Sequence, residues 1–300
     1  RIPEYDTAGR ARYLRDMFEY TTSDKITAYW FANVLSAPAT QSRNILGNAL
    51  QGLLQFPVRL AAGVIDYPLS KIQRRPREHY VSEAFVATYG WFAGIPIGLQ
   101  RALYVIKNGF DVRDVTKLEM PRIYEFKGAL KPLNLGSRSL VAVDTMFKNM
   151  AYEAELRALS MRAAIRESKG KPGSNITERA AEIRNNPTAK MIDKAHKFSE
   201  FSTFTDNPDA MVRRFSKLRD IGIPEGVVGI GGMKPLRFIV PFINVPWSIA
   251  KQGVQLTPAG LFKLTNKTVL KSPEASLVIG KALIGSAVMQ YVSTLAATDR

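Results

Sequence analysis

The stretch SLVAVDTMFKNMAYEAELRALSMRAAIRES, residues 139–168, decides the fold. Its apolar residues Leu140, Met146, Phe147, Met150, Leu156, Leu159, Met161 and Ile165 recur largely at steps of three and four, so a helix of 3.6 residues per turn gathers them on one face. Gly170 then supplies a C-terminal stop. The same period dominates the rest of the chain, and strict apolar/polar alternation is almost absent. The sequence therefore predicts an all-α protein: an irregular bundle of kinked helices, several of them small-residue-rich and apolar.

Downstream, residues 176–220 read as three shorter amphipathic helices separated by Pro187 and by the turn at Asp206, Asn207 and Pro208, where Asn207 or Asp206 caps the last. Residues 222–232 read as a flexible hinge. Its glycines at 226, 229, 231 and 232 match neither the phosphate loop nor the dinucleotide fingerprint. A helix over 235–255 interrupted by Pro241 and Pro246, a short one after Pro258 and a last apolar helix over 275–297 follow.

Upstream, helices are expected over 8–20, over 25–36 with Thr22, Ser23 and Asp24 as the capping cluster, over 38–65 with a bend at Pro57, and over 82–108 with a kink at Pro96. Residues 66–79 read as a basic, proline-bearing connection and 109–137 as irregular. Three regions result: an apolar basic helical region 1–135, a polar amphipathic region 136–221, and a glycine hinge with apolar basic helices 222–300. The chain begins at Arg1 rather than Met and stops just after an apolar run, so it reads as part of a longer polypeptide.

Lys and Arg total 42 against 26 acids, a net charge of +16, which implies an anionic partner such as nucleic acid or phospholipid headgroups. Residues 231–300 hold 8 basic and 2 acidic groups, whereas 151–230 hold 14 and 11. The apolar regions thus carry much of the excess. With no cysteine and only His79 and His196, thiolate metal sites and cysteine nucleophiles are excluded and zinc chemistry has little material. The carboxylate pairs Glu153/Glu155 and Glu178/Glu182 lie on polar helix faces without a histidine, so they read as solvated charge. No catalytic, cofactor-binding or metal residue is assigned, and the chain is expected not to be an enzyme within these residues.

Three features carry the functional reading. The helix ASLVIGKALIGSAVMQYVSTLAA, residues 275–297, has Lys281 as its only charge; at about 1.5 Å per residue it is long enough for a hydrocarbon core of about 30 Å. Its Gly280 and Gly285 suit close helix contact, and membrane span and buried bundle helix both remain open. In GWFAGIPIG, Gly90, Gly94 and Gly98 stand four apart and clear one helix face for another backbone. Lys71, Arg74, Arg75 and Arg77 place four cations between two apolar helices, a pattern that suits phosphate or headgroup contact and also an ordinary solvated loop. Asn44, Asn48, Gln51 and Gln55 recur on roughly one side of their helix and would be costly facing lipid.

Two stretches resemble a known group. FANVLSAPATQSRNILGNALQGLLQFPVRLAAG, residues 31–63, with its threonine-x-x-arginine-asparagine run, and PLRFIVPFINVPWSIAKQGVQLTPAG, residues 235–260, are similar to large polyvalent protein-associated segments of virion-packaged phage internal proteins. The resemblance marks Arg43, Asn44, Arg237, Phe238, Pro241, Phe242 and Pro246 as structural or interaction positions. It implies a structural segment of an internal core or ejection protein, packaged in the virion interior and delivered with the genome to the host cell envelope, where it helps form a DNA conduit. The partners so implied are further copies of the chain, other virion core or tail proteins, the DNA backbone and anionic membrane. The alternatives are a DNA-binding antirestriction module ejected into the host and the non-catalytic scaffold of a larger virion enzyme. Phosphate or headgroup contact is expected at Arg43, Lys71, Arg74, Arg75, Arg77 and Arg237, and helix packing at Gly90, Gly94, Gly98, Gly280 and Gly285.

Overall fold

A computed structural model describes residues 20–109, 124–168, 175–206, 208–224, 232–239 and 243–298. Among these the chain is all-α, with no strand. Its helices are α1 (Thr22–Ser36), α2 (Pro38–Ile72), α3 (Val81–Ala93), α4 (Ile95–Asn108), α5 (Asn134–Ser168), α6 (Ile176–Asn185), α7 (Ala189–Ser202), α8 (Ala210–Arg219), α9 (Leu236–Ile239), α10 (Asn244–Gln255), α11 (Lys267–Leu270) and α12 (Glu274–Thr298). Two 3-10 segments, Gly128–Leu133 and Pro258–Thr265, join them.

Local chemistry sets the boundaries. Thr21 caps α1, its hydroxyl accepting from the Asp24 amide at 3.2 Å while Asp24 Oδ2 accepts from the Thr21 amide at 3.0 Å. That is a reciprocal capping box one residue earlier than the expected cluster. Pro38 opens α2 as expected, but the helix runs on through Pro57 and Pro68 to Ile72, so residues 66–72 are not a connection. The carbonyls those prolines leave without a helical donor belong to Leu53 and Val64, both exposed residues.

At Pro96 the expected kink is instead a break. The missing amide cannot serve the Phe92 carbonyl, so α3 ends at Ala93, Gly94 caps it, and Pro96 becomes the second residue of α4. Helix α5 starts five residues before the expected Ser139 position because buried Asn134 exchanges two 3.0 Å bonds with the backbone of Phe126. The three short helices lie where expected, α6 and α7 being capped by Asn175 and Thr188. Asp209 stands at the α8 N-cap, but its carboxylate accepts from Trp247 Nε1 at 3.1 Å instead of bonding the helix. Pro246 sits in the first turn of α10 and starts the helix rather than interrupting it. The ends of the glycine-rich hinge are tied: the Ile223 amide donates to the Met233 carbonyl at 2.8 Å and the Gly232 amide to the Ile223 carbonyl at 2.9 Å. The expected helix over 8–20 (apart from Tyr20), part of the irregular stretch, and Pro241 and Phe242 lie outside the described residues.

The chain forms two compact units, each assembled from three separate stretches. The first takes 1–48, 96–147 and 204–247, and the second 49–95, 148–203 and 248–300. In the first, Ala28, Ala32 and Phe126 form a small core with Tyr124 and Leu133 against it. In the second, Ala87, Ala154 and Ala158 pack with Trp91, and Met161, Ala164 and Ala180 pack with Val86, Ile165, Ile176 and Ile183.

Candidate functional site

The small-residue positions are close approaches of backbone. In the second unit a Cβ on Gly94 would stand 2.7 Å from the Cα of Met150, and one on Gly90 2.9 Å from the Cα of Ala154. In the first unit a Cβ on Gly98 would stand 2.8 Å from the Met146 carbonyl. Each glycine meets α5, and their partners run 154, 150, 146, four apart in the opposite chain direction. Gly280 lies on α2, where a Cβ would stand 3.1 Å from the Val58 carbonyl, and Gly285 lies on the carbonyl of Leu256. All five expected packing glycines therefore sit at contacts no larger residue fits without movement.

The cation set divides. Arg75 pairs with the fully buried carboxylate of Asp66. Arg77 donates to the carbonyls of His79 at 2.9 Å and Gly63 at 2.7 Å and covers the rings of Tyr67 and Tyr80. Lys71 lies on Tyr67, its amine 2.7 Å from the phenol oxygen. Arg237 grips Asp220 with two bonds of 2.8 and 2.9 Å. Arg75, Arg77 and Arg237, expected to meet phosphate or headgroups, are thus committed to internal partners. Local spacing could not show this, because the partners stand 9, 14 and 17 residues away. Arg43 and Arg74 are exposed.

A buried ionic network explains the connection after α2. Asp66 accepts from Arg75 and from the amides of Glu78 at 2.8 Å and His79 at 2.9 Å, which pins residues 75–80 back against the helix. Burial pushes the Asp66 carboxyl up, but the Arg75 hydrogen bond and the two amides outweigh it and hold it below the usual range. Glu83, 2% exposed, accepts from Arg162 at 3.0 and 2.6 Å. There too burial raises the carboxyl while His79 and Arg162 bring it below the ordinary value. Among the carboxylate pairs of the sequence, Glu155 is bound to Arg59 and Glu182 to Arg179. Among the described residues no group of three or more His, Asp or Glu is placed to hold a metal ion.

These buried charges belong to a wider pattern in the second unit, where three helices are inverted in polarity. Helix α2 buries Gln51, Arg59, Asp66 and Ser70 beside Val58 and Ala62, and exposes Leu50, Leu53, Val64, Tyr67 and Ile72. Helix α3 buries Glu83, Ala84, Ala87 and Gly90, and exposes Phe85, Tyr89 and Phe92. Helix α12 buries Ala275, Ser276, Val278, Gly280, Ala282 and Gly285, and exposes Leu283, Val288, Met289, Tyr291, Val292 and Leu295. By contrast, the described residues of 148–203 in this unit expose no large apolar side chain.

Two of the buried amides are linked: Gln51 Nε2 donates to Gln252 Oε1 and Gln252 Nε2 to the Phe201 carbonyl, both at 2.7 Å. Lys281 lies over the Phe201 ring and donates to Gln255 Oε1 at 2.9 Å. A signal for the inversion stands in the sequence. Leu50, Leu53, Pro57, Leu60, Val64 and Tyr67 follow alternate steps of three and four, a heptad seam on the side opposite the amides. Small and polar side chains inward with large apolar ones outward is the arrangement of helices whose outer surroundings are apolar. No family model, curated protein or solved structure matches the chain.

Proposed function

We propose that the chain is a structural segment of a virion-packaged internal protein, delivered with the genome and acting through helix surfaces at the host cell envelope, where copies assemble into part of a DNA conduit. The observation that carries this reading is the inverted polarity of α2, α3 and α12. The faces of α2 and α3 present leucine, valine and aromatic side chains outward at helical spacing, and further copies of the chain cover them. Polar groups held inside by partners, such as Gln51 on Gln252 and Glu83 on Arg162, give each protomer a fixed interior before assembly. The resemblance of residues 31–63 and 235–260 to phage internal proteins supports the setting.

Exposed Arg43 and Arg74, together with the net charge of +16, favour contact with the DNA backbone or anionic headgroups over neutral partners. Light scattering over a concentration series, with dye release from anionic vesicles and salt-dependent DNA retention, tests the proposal. Concentration-dependent oligomers that release dye support it. A chain that stays monomeric, binds no vesicle and retains no DNA refutes it.

A further inference from the structure

The distal half of α12 differs from every other helix described. From residue 287 to residue 298 every residue is exposed, on each face of three successive turns, and none of the twelve is buried in its unit. They carry no charge. A helix of this length is marginal by itself in water, and Val, Ser, Thr and Tyr are not strong helix formers. It therefore needs an environment that the unit does not supply.

Its polar groups are already arranged for an environment without water. The hydroxyls of Ser293 and Thr294 donate to the Gln290 carbonyl at 2.8 and 2.9 Å, that of Thr298 to the Thr294 carbonyl at 2.8 Å, and that of Ser286 to the Ala282 carbonyl at 2.7 Å. Each serine and threonine hydroxyl is satisfied within the helix, which leaves the Gln290 amide and the Tyr291 phenol as the polar groups whose desolvation is uncompensated, and a tyrosine suits the interface where its hydroxyl stays wet. Residues 287–298 extend about 18 Å, more than half of a hydrocarbon core of about 30 Å.

Charge identifies the surface. The 3-10 segment Pro258–Thr265 and α11 pack against α12. They hold Lys263 and Lys267, and Lys271 caps the C-terminus of α11; all three are exposed, no ion pair of theirs is found among the described residues, and beside Lys263 stands Phe262 at 76% exposure. Lysines beside an exposed aromatic ring and an uncharged helix form the pattern of attachment to an anionic bilayer. A second copy fits less well: it would bring a second set of the same three lysines alongside, and one protein partner covers one face of a helix that is exposed on every side.

We infer that residues 287–298 insert into the hydrocarbon of an anionic phospholipid bilayer while Lys263, Lys267 and Lys271 hold the headgroups. The inference rests on the proposed envelope role and names the element that makes the membrane contact. Because the chain has no cysteine, Val292→Cys in the full chain gives a single site for an environment-sensitive fluorophore, and Lys190→Cys on exposed α7 gives a control.

With phosphatidylglycerol/phosphatidylcholine vesicles the probe at 292 is expected to brighten several-fold, shift to the blue and be quenched by brominated acyl chains, while the probe at 190 stays unchanged. The K263Q/K267Q/K271Q variant needs roughly a hundredfold more lipid, about fivefold for each lysine removed, and pure phosphatidylcholine binds weakly. Vesicle binding with a dark probe at 292 overturns this inference and leaves the proposed function standing. Absence of vesicle binding overturns this inference, and together with absence of oligomers and of DNA retention it overturns both. Brightening on concentration without lipid assigns the tail to a second copy, and equal binding to neutral and anionic vesicles removes the role of the lysines; either result refutes the inference.

Discussion

Glu83→Leu should be among the most damaging single substitutions in the second unit, and a second substitution should largely reverse it. The carboxylate is 2% exposed and takes both guanidinium bonds of Arg162, whose side chain is 12% exposed. Removing one partner leaves a buried cation unpaired, at a cost of about 3–5 kcal/mol. For a unit of this size each kcal/mol lowers the melting temperature by about 2–4 °C, so Glu83→Leu should lower it by about 6–20 °C. In Glu83→Leu/Arg162→Met no charge is stranded, and replacement of a buried ion pair by apolar side chains of similar size is close to neutral.

Calorimetry with near-ultraviolet circular dichroism on the lipid-free protein reads both variants. The sign with pH follows from the depressed Glu83 carboxyl: its contribution is fully present above the unfolded-state value near 4.3 and is lost as pH falls through the lower folded-state value. The wild-type melting temperature should therefore drop in acid by more than that of the double variant. A single variant within about 2 °C of wild type, or a double variant as unstable as the single one, would refute the reasoning.

Gly94→Ala puts a Cβ 2.7 Å from the Met150 backbone and should destabilise by about 1–3 kcal/mol. Gly253→Ala, which meets nothing within 4 Å, should stabilise by about 0.5–1 kcal/mol, and thermal unfolding of the two variants separates them. In the first unit, burial alone would raise Asp220, but Arg237 and Arg219 hold its carboxyl down at about 2. Its stabilisation is present above about pH 4 and disappears between about 4 and 2, and Asp220→Asn should remove that acid step and about 1–2 kcal/mol at neutral pH after solvent screening. Leu50→Glu, Leu53→Glu and Val64→Glu, at positions 53–60% exposed, should each change monomer stability by no more than about 0.5 kcal/mol while abolishing the oligomers seen by light scattering.

The all-α architecture was legible because it is carried by local period. Leu140 through Ile165 mark α5, and the short helices after it are framed by Pro187 and the Asp206–Pro208 turn. The glycines at 90, 94 and 98 announced close packing, because only backbone approach gives a four-residue glycine spacing an evident use. The cost of Asn48 and Gln51 facing lipid was legible, and both do turn inward.

What local pattern could not give was pairing at a distance. Asp66 draws in Arg75 and two amides, Glu83 draws in Arg162 from 79 residues away, and Arg237 closes on Asp220. The Asp66 bonds are what turn the basic stretch after α2 into a pinned one. Of the phosphate or headgroup set, the positions facing outward without a bond to the chain's own carbonyls or carboxylates are Arg43, Lys71 and Arg74, and the further lysines 263, 267 and 271 emerge only when α11 and the 3-10 segment are seen against α12.

Spin labels at Leu53→Cys and Phe85→Cys, one at a time in the cysteine-free chain, test most directly whether the outward apolar faces of α2 and α3 are covered by other copies. In dilute monomer both labels should be mobile and open to a water-soluble relaxation agent, as expected for residues 53% and 57% exposed. On assembly both should be immobilised and shielded from that agent, with dipolar broadening between copies. Labels that stay mobile and water-accessible in the assembled state would contradict the account.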